Sequence, residues 1–233
     1  VNVARFGHAK RKWFETFLDM PHGIPSHDTL GRVFAMLNPE VLATCFTQWV
    51  ASLVKVAAGE VIAIDGKTLR RSFDTASSKS AIHMVSAWAA QQRLVLGQVK
   101  TDAKSNEITA IPKLLELLEV EGCIVTIDAM GCQKKIVEKI VEKGADYVLS
   151  LKGNQGTMHQ EVRDFWQWAQ KENFKDVQHD FYETVDKEHG RLEIRRTWCS
   201  HDIDWLQRDN RWLKLTSVAM VESERTVANL TTI

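Results

Sequence analysis

The sequence has no charge to spare in either direction: 30 Lys and Arg balance 30 Asp and Glu over 233 residues. A nucleic-acid partner therefore draws no support from net charge, and local basic clusters would have to hold any polyanion. Cysteine is scarce. Cys45, Cys123, Cys132 and Cys199 form no C-x-x-C pair, which argues against structural zinc; scattered thiols suit a reducing compartment where Cys packs as a small hydrophobe. The opening VNVARFGHAKRKW lacks a signal-peptide pattern, and no apolar run approaches the ~20 residues that span a bilayer. A cytoplasmic protein with no membrane partner is expected. The eight histidines show neither H-E-x-x-H nor i, i+4 spacing, and no triad is visible. Gly66-Lys67-Thr68 imitates the end of a phosphate loop, but the Gly required five residues earlier is Val61, so that loop is rejected. Internal repeats and low-complexity linkers are also missing.

What is present is ordinary globular material, 44% hydrophobic and 26% charged, enough for one good-sized domain and a small appendage. Two rhythms divide it. Residues 1–58 read as helices: one through Lys12 to Leu18, one from His27 carrying Leu30, Phe34 and Leu37 after a Pro25-Ser26 start signal, and one after Asn38-Pro39 carrying Leu42, Phe46, Trp49 and Leu53. Such a trio suits either a DNA-binding module or a helical cap. After Gly59 the rhythm turns to β. EVIAIDGKTL, AIHMVSAWAA and RLVLGQVKT read as three strands, the last two joined by a hairpin at Gln91-Gln92-Arg93. A helix with Ile108, Ile111, Leu115 and Leu118 on one face follows. Next come the strand CIVTID, an amphipathic helix stopped at Gly144, the buried-type strand DYVLSLK, and the helix EVRDFWQWAQKEN.

Three strands, helix, strand, helix, strand, helix is the order of a mixed α/β sheet. Right-handed crossovers place CIVTID beside VIAID, which is the RNase H-like core. Residues 59–233 would form this core, with a strand-rich insertion over about 175–233. On that topology Asp65 and Asp128 end adjacent parallel strands and converge at the sheet edge, where open α/β sheets bind ligands. Two such carboxylates need a proton or a cation between them. Oxygen ligands suit Mg²⁺ or Mn²⁺, and a pair of ions could serve an in-line displacement at phosphorus. The plainer alternative is that each Asp forms a turn or caps a helix.

Basic and amide side chains surround this edge. Lys67, Arg70 and Arg71 follow Asp65 and are placed to hold a backbone phosphate, or else form a solvated charge run. Lys152, Asn154 and Gln155 follow DYVLSLK on the same edge and suit phosphate or base contacts, while Gly153 also fits a plain turn. Trp166 and Trp168 could stack bases, but their spacing puts them on opposed helix faces, so one belongs to the core.

Six segments, IPSHDTLGRVF, AIDGKTLRRS, KSNEITAIPKLLELL, TIDAMGCQ, GADYVLSLKGNQ and HGRLEIR, together and in this order resemble the H-repeat-associated transposases of bacterial insertion sequences. The resemblance runs from about residue 6 to 228. It implies a DDE active site on an RNase H-like fold that cuts and joins DNA at transposon ends, with Asp65 and Asp128 as the first two acidic residues and metal ligands. The family's third acid lies in a C-terminal helix with a motif like HWGIEN-x-LHW, which this sequence does not contain, and is expected beyond Ile233. Glu193 in HGRLEIR is the stand-in within the chain. His189, Arg191 and Arg195 nearby would contact DNA phosphate or brace the insertion. The family also implies a homodimer on DNA. Two other readings stand beside transposition: a catalytically inactive DNA-binding remnant, and an RNase H-like nuclease without joining activity.

Overall fold

The computed structural model describes residues 2–53, 57–69, 72, 81–101, 107–188, 190–206, 212–227 and 230–232. The chain divides into two compact units, Val1–Lys55 and Val56–Ile233.

The first unit is helical: α1 (Asn2–Ala9), α2 (Arg11–Phe14), α3 (His27–Met36) and α4 (Pro39–Leu53). The two later helices start where their caps require. The Ser26 hydroxyl accepts from the Thr29 amide at 3.2 Å, and the Asn38 side chain accepts from the amides of Glu40 and Val41 at 2.9 and 3.3 Å. Pro39 takes the first helical position, where its missing N–H costs nothing. The helix expected over Lys12–Leu18 is instead the short α2 followed by turns. The amides of Thr16 and Phe17 bond three residues back, and the Thr16 hydroxyl donates to the Trp13 carbonyl at 2.7 Å. Trp13, Phe14 and Phe17 cluster there, with Phe6 against Phe14.

The second unit holds two sheets. The first has the order β3-β2-β1-β4-β5, built from β1 (Val61–Thr68), β2 (His83–Ala89), β3 (Leu94–Lys100), β4 (Ile124–Ile127) and β5 (Asp146–Leu149). β1 pairs antiparallel with β2 and parallel with β4, and β4 runs parallel with β5. This is the RNase H-like arrangement. Helices α5 (Glu107–Glu116) and α6 (Lys134–Glu142) supply the crossovers. Their apolar faces, Ile111, Leu114 and Leu115 on α5 and Ile136, Val137 and Ile140 on α6, are buried. So are Ile62, Ile64, Val85, Ala87, Val125 and Ile127 on the strands. Each fully buried Ile or Leu contributes about 1.5–3 kcal/mol. Glu60 is buried at the foot of β1 and accepts from the Gln91 amide at 2.9 Å, tying down the β2–β3 turn in which Arg93 takes a positive φ of 56°.

The opposite sheet face is much more open. Register puts Ala63, Asp65 and Lys67 of β1 there, opposite Trp88, Ser86 and Met84. Trp88 is 40% and Val148 61% exposed. β5 therefore departs from the buried-type strand expected from DYVLSLK: its residues alternate between exposed and half-buried, because an edge strand covered on one face has only one face to hide.

α7 (Gly156–Lys171) leads into a four-stranded sheet of order β6-β7-β8-β9, formed by β6 (Asp180–Glu188), β7 (Arg191–Ser200), β8 (Val218–Val227) and β9 (Leu230–Thr232), all antiparallel. A second core joins α7 to this region through Met158, Val162, Trp166, Val177, Ile203, Leu206, Trp212 and Val218, with Tyr147, Leu149 and Trp198 packed against it. Trp166 is buried at 3% exposure and Trp168 is 46% exposed, as their opposed positions on the helix demand. Among the described residues no helix is long and apolar enough to cross a membrane.

Candidate active site

The parallel register of β1 and β4 ends at Ile64↔Ile127, and the next residue on each strand is an aspartate. Asp65 and Asp128 therefore stand side by side on strands about 4.8 Å apart, on the open face. Both are exposed. The chains around them differ. β1 continues past Asp65 to Thr68, paired only with β2, and Asp65 lies opposite Ser86. β4 stops, and Asp128 caps a short 3₁₀ turn, Ala129–Gly131, its carboxylate accepting from the Met130 amide at 3.0 Å. Asp128 thus does serve as a cap, yet a bond to a single oxygen leaves the carboxylate able to accept at its other lone pairs.

The turn after Asp128 is held from below. Gly131 admits no side chain, because a Cβ there would collide with Ile127. Asn154 donates its amide to the Ala129 carbonyl at 2.6 Å and Gln155 to the Cys132 carbonyl at 2.8 Å. These two side chains follow β5 on the same edge as both aspartates and brace the Asp128 turn, while Lys152 beside them is exposed. Cys132 closes the turn. Burial pushes its thiol up to about 11, so it is neutral and unreactive near neutral pH. Burial, with a smaller contribution from Cys132, pushes the Tyr147 phenol up to about 12, and its hydroxyl donates to the Leu213 carbonyl at 2.8 Å.

A second constellation lies on the helix-covered face of β1. Glu107, the first residue of α5, meets His83 Nε2 at 2.7 Å, and His83 Nδ1 meets Thr68 Oγ1 at 2.8 Å. Neither Glu107 nor His83 stands in a motif that marks it from sequence alone. The clue was that Glu107 lies within KSNEITAIPKLLELL, but its partner His83 is 24 residues away in the chain.

The remaining sequence candidates are spread more widely. Lys67 is exposed two residues beyond Asp65 on the same face. Arg70, Arg71 and His189 lie outside the described residues. Glu193, Arg191 and Arg195 sit on β7 in the other sheet, where Arg195 binds Glu193 at 2.6 Å and the three line a shallow cavity with Asp186. On the other face of β7, Arg196 is ringed by Glu183, Glu222 and Glu224 at 2.8–3.3 Å, which hold its guanidinium charged. Among the described residues no three His, Cys, Asp or Glu side chains converge on a metal-sized site.

Comparison with known proteins points one way. The family described as "Transposase DDE domain" matches residues 57–232, and the one described as "DDE_Tnp_1-associated" matches residues 1–50. An uncharacterized protein in the dhlA 3′ region of Xanthobacter autotrophicus is 45% identical over 226 residues, covering 96% of this chain and 74% of that one. The putative transposase YncI of Escherichia coli O157:H7 is 43% identical over 211 residues, covering 87% and 53%. The H repeat-associated putative transposase YhhI of Escherichia coli strain K12 is 39% identical over 227 residues, covering 97% and 59%. The chain thus spans between about half and three quarters of the length of these curated relatives. Among solved structures, a piggyBac transposase synaptic complex with hairpin DNA aligns at a TM-score of 0.34 and 9% identity over 60% of this chain and 30% of that one, a likeness too slight to carry an argument. On the strength of the domain match and of these sequence relatives, the chain belongs to the DDE transposase family, H-repeat-associated type.

Proposed function

We propose that this chain carries the first two carboxylates of a divalent-metal site that cleaves transposon-end DNA and transfers its strands, with Asp65 and Asp128 as ligands. The observation that supports this reading most is the parallel register, which brings both exposed aspartates to one sheet edge. Transposase DDE domains generally use divalent metal ions. Two exposed carboxylates with hard oxygen donors, not grouped with any Cys or His at a metal-sized site among the described residues, suit Mg²⁺ or Mn²⁺. Two bound ions would supply charge stabilisation for an in-line displacement at phosphorus. The chain's own residues orient the pair: the cap at Met130 and the amides of Asn154 and Gln155 hold Asp128, and β2 holds Asp65.

Lys67 and Lys152 lie near this edge and are assigned to phosphate contacts, as are Arg70 and Arg71. Asn154 and Gln155 retain carbonyl oxygens that could accept from base N–H groups. Arg191, Arg195 and His189 are assigned to DNA on the second sheet. The third carboxylate is assigned to a segment outside this chain, since Glu193 is engaged by Arg195 in another sheet. Residues 1–58 form the associated helical domain, 59–233 the catalytic core, and a homodimer on DNA is the proposed working unit.

The test is Mg²⁺-dependent nicking and joining of transposon-end DNA by a full-length relative-sized protein carrying these residues. Asp65→Ala and Asp128→Ala should each slow both steps on the order of 10³-fold; full activity in either would end the proposal. A second reading, a DNA-binding remnant without catalysis, is favoured by the lack of a third converging ligand among the described residues. Binding without cleavage by the 233-residue chain supports it, and robust cleavage refutes it.

A further inference from the structure

Asp65 sits where β1 loses half of its support. Up to Ile64 the strand is paired on both sides, with β2 and with β4. Beyond it, Asp65, Gly66, Lys67 and Thr68 are paired with β2 alone. An overhanging strand end of this kind twists and frays more readily than a doubly paired one, and a metal ligand needs a fixed carboxylate.

The overhang is tied down from the opposite face. Gly66 has ordinary extended backbone, so its use is the space it leaves: a Cβ there would collide with the Glu107 carboxylate. Glu107 in turn meets His83, and His83 meets Thr68, at 2.7 and 2.8 Å. A neutral ring protonated on Nε2 satisfies both contacts, with Nε2–H donating to Glu107 and the Thr68 hydroxyl donating to Nδ1. The contact is sheltered, His83 being 28% and Glu107 17% exposed. Three elements are thereby closed into a ring around the residue after Asp65: β1 through Gly66 and Thr68, β2 through His83, and α5 through Glu107.

We propose that Glu107 and His83 are positioning residues for Asp65, locking the β1 overhang so that the carboxylate is held beside Asp128 for a divalent cation. This rests on the metal-site reading above. Both residues act from the helix-covered face of the sheet, opposite Asp65, so neither is a ligand in this assignment. Their role matches that of the outer partners that orient metal-binding side chains in other sites, whose loss typically costs 10–100-fold in affinity.

The experiment measures Mn²⁺ binding to the 233-residue chain by electron paramagnetic resonance, with circular dichroism melts alongside. Glu107→Ala and His83→Ala should weaken binding about 10-fold while the chain stays folded. Glu107→Gln should bind close to the parent, because its amide oxygen still accepts from His83 Nε2–H. Gly66→Ala should behave like Glu107→Ala, displacing the carboxylate without removing a hydrogen-bonding group, and it carries the comparison if Glu107→Ala fails to fold. Parent-like Mn²⁺ binding in folded His83→Ala and Gly66→Ala, with Asp65→Asn binding abolished, overturns the proposal. So does Glu107→Gln binding as poorly as Glu107→Ala, which would make Glu107 a direct ligand. If Asp65→Asn itself retains full binding, the metal reading fails and this inference falls with it, and that arm alone identifies the cause.

Discussion

The two sheets of the second unit place their charges by opposite rules. In the five-stranded sheet, the carboxylates at the open edge of β1 and β4 stand next to each other and share no salt bridge in the described contacts; Asp65 faces Ser86, and Asp128 takes a single amide. In the four-stranded sheet, acid and base answer each other: Arg195 with Glu193, and Arg196 with Glu183, Glu222 and Glu224. Paired charges on a surface are worth little and are satisfied by their partners. Like charges held together without a cation are unfavourable. The second arrangement is already complete, and the first agrees with the metal site proposed above.

The contrast breaks most visibly in DNA cleavage. Asp65→Ala or Asp128→Ala should lower Mg²⁺-dependent nicking on the order of 10³-fold, as expected for losing several kcal/mol of charge stabilisation. Glu193→Ala should leave nicking within about 2-fold, since its lost partner is a surface arginine. A gel assay of nicked product under single-turnover conditions checks both, and a large loss in Glu193→Ala would erase the distinction between the sheets.

Urea unfolding compares the cores with the surfaces. Ile62→Ala, a fully buried core position, should cost about 2–5 kcal/mol, whereas Val185→Ala on β6, 59% exposed, should stay within about 0.5 kcal/mol.

Alkaline titration reads the seam between the two sheets, where Cys132 and Tyr147 meet. Both folded groups hold their protons more tightly than the unfolded chain does. Their contribution is therefore complete below pH 9 and falls as the unfolded thiol, then the unfolded phenol, ionise first. Thermal stability should decline from pH 9 towards the folded values of about 11 for Cys132 and about 12 for Tyr147. Cys132→Ala should reduce the earlier part of the decline, which the buried Cys123 thiol shares, and Tyr147→Phe should remove the later part. A melting temperature flat between pH 8.5 and 11 in the parent would contradict the burial of both.

A smaller effect than core truncation concerns the brace on Asp128. Asn154→Ala removes one hydrogen bond to the Ala129 carbonyl and should cost about 1 kcal/mol in stability. It should also slow nicking more than it weakens DNA binding, whereas Lys152→Ala should do the reverse. Binding isotherms at two salt concentrations together with cleavage rates separate the cases.

Much of this was legible in the residues alone because the deciding forces were local or periodic. Caps at Ser26 and Asn38, the β-branched runs ending in Asp65 and Asp128, and the opposed Trp166 and Trp168 all depend on neighbours within a turn or two of chain. The handedness of crossovers then forces β1 against β4. The helix drawn over Lys12–Leu18 gives way after Phe14 to turns in which the Thr16 and Phe17 amides bond three residues back, a change of register that apolar spacing does not encode.

What only the tertiary structure decided involves partners distant in sequence. Nothing in DYVLSLK says that β5 takes an edge with one face open, since an apolar run reads the same on an edge as at the centre. The bracing amides of Asn154 and Gln155 became visible only with their carbonyl partners, 25 and 23 positions back in the chain, in place. Gly66 looked like part of a failed phosphate loop; its use emerged when a carboxylate 41 positions along the chain was found filling the space where its side chain would be. The sequence by itself determined the sheet and the pairing of its two aspartates, because hydrophobic period and chain chirality act on every residue in the same way. Which side chains hold that pair in place was decided by the packed fold, because such contacts depend on a few ångströms that no pattern encodes.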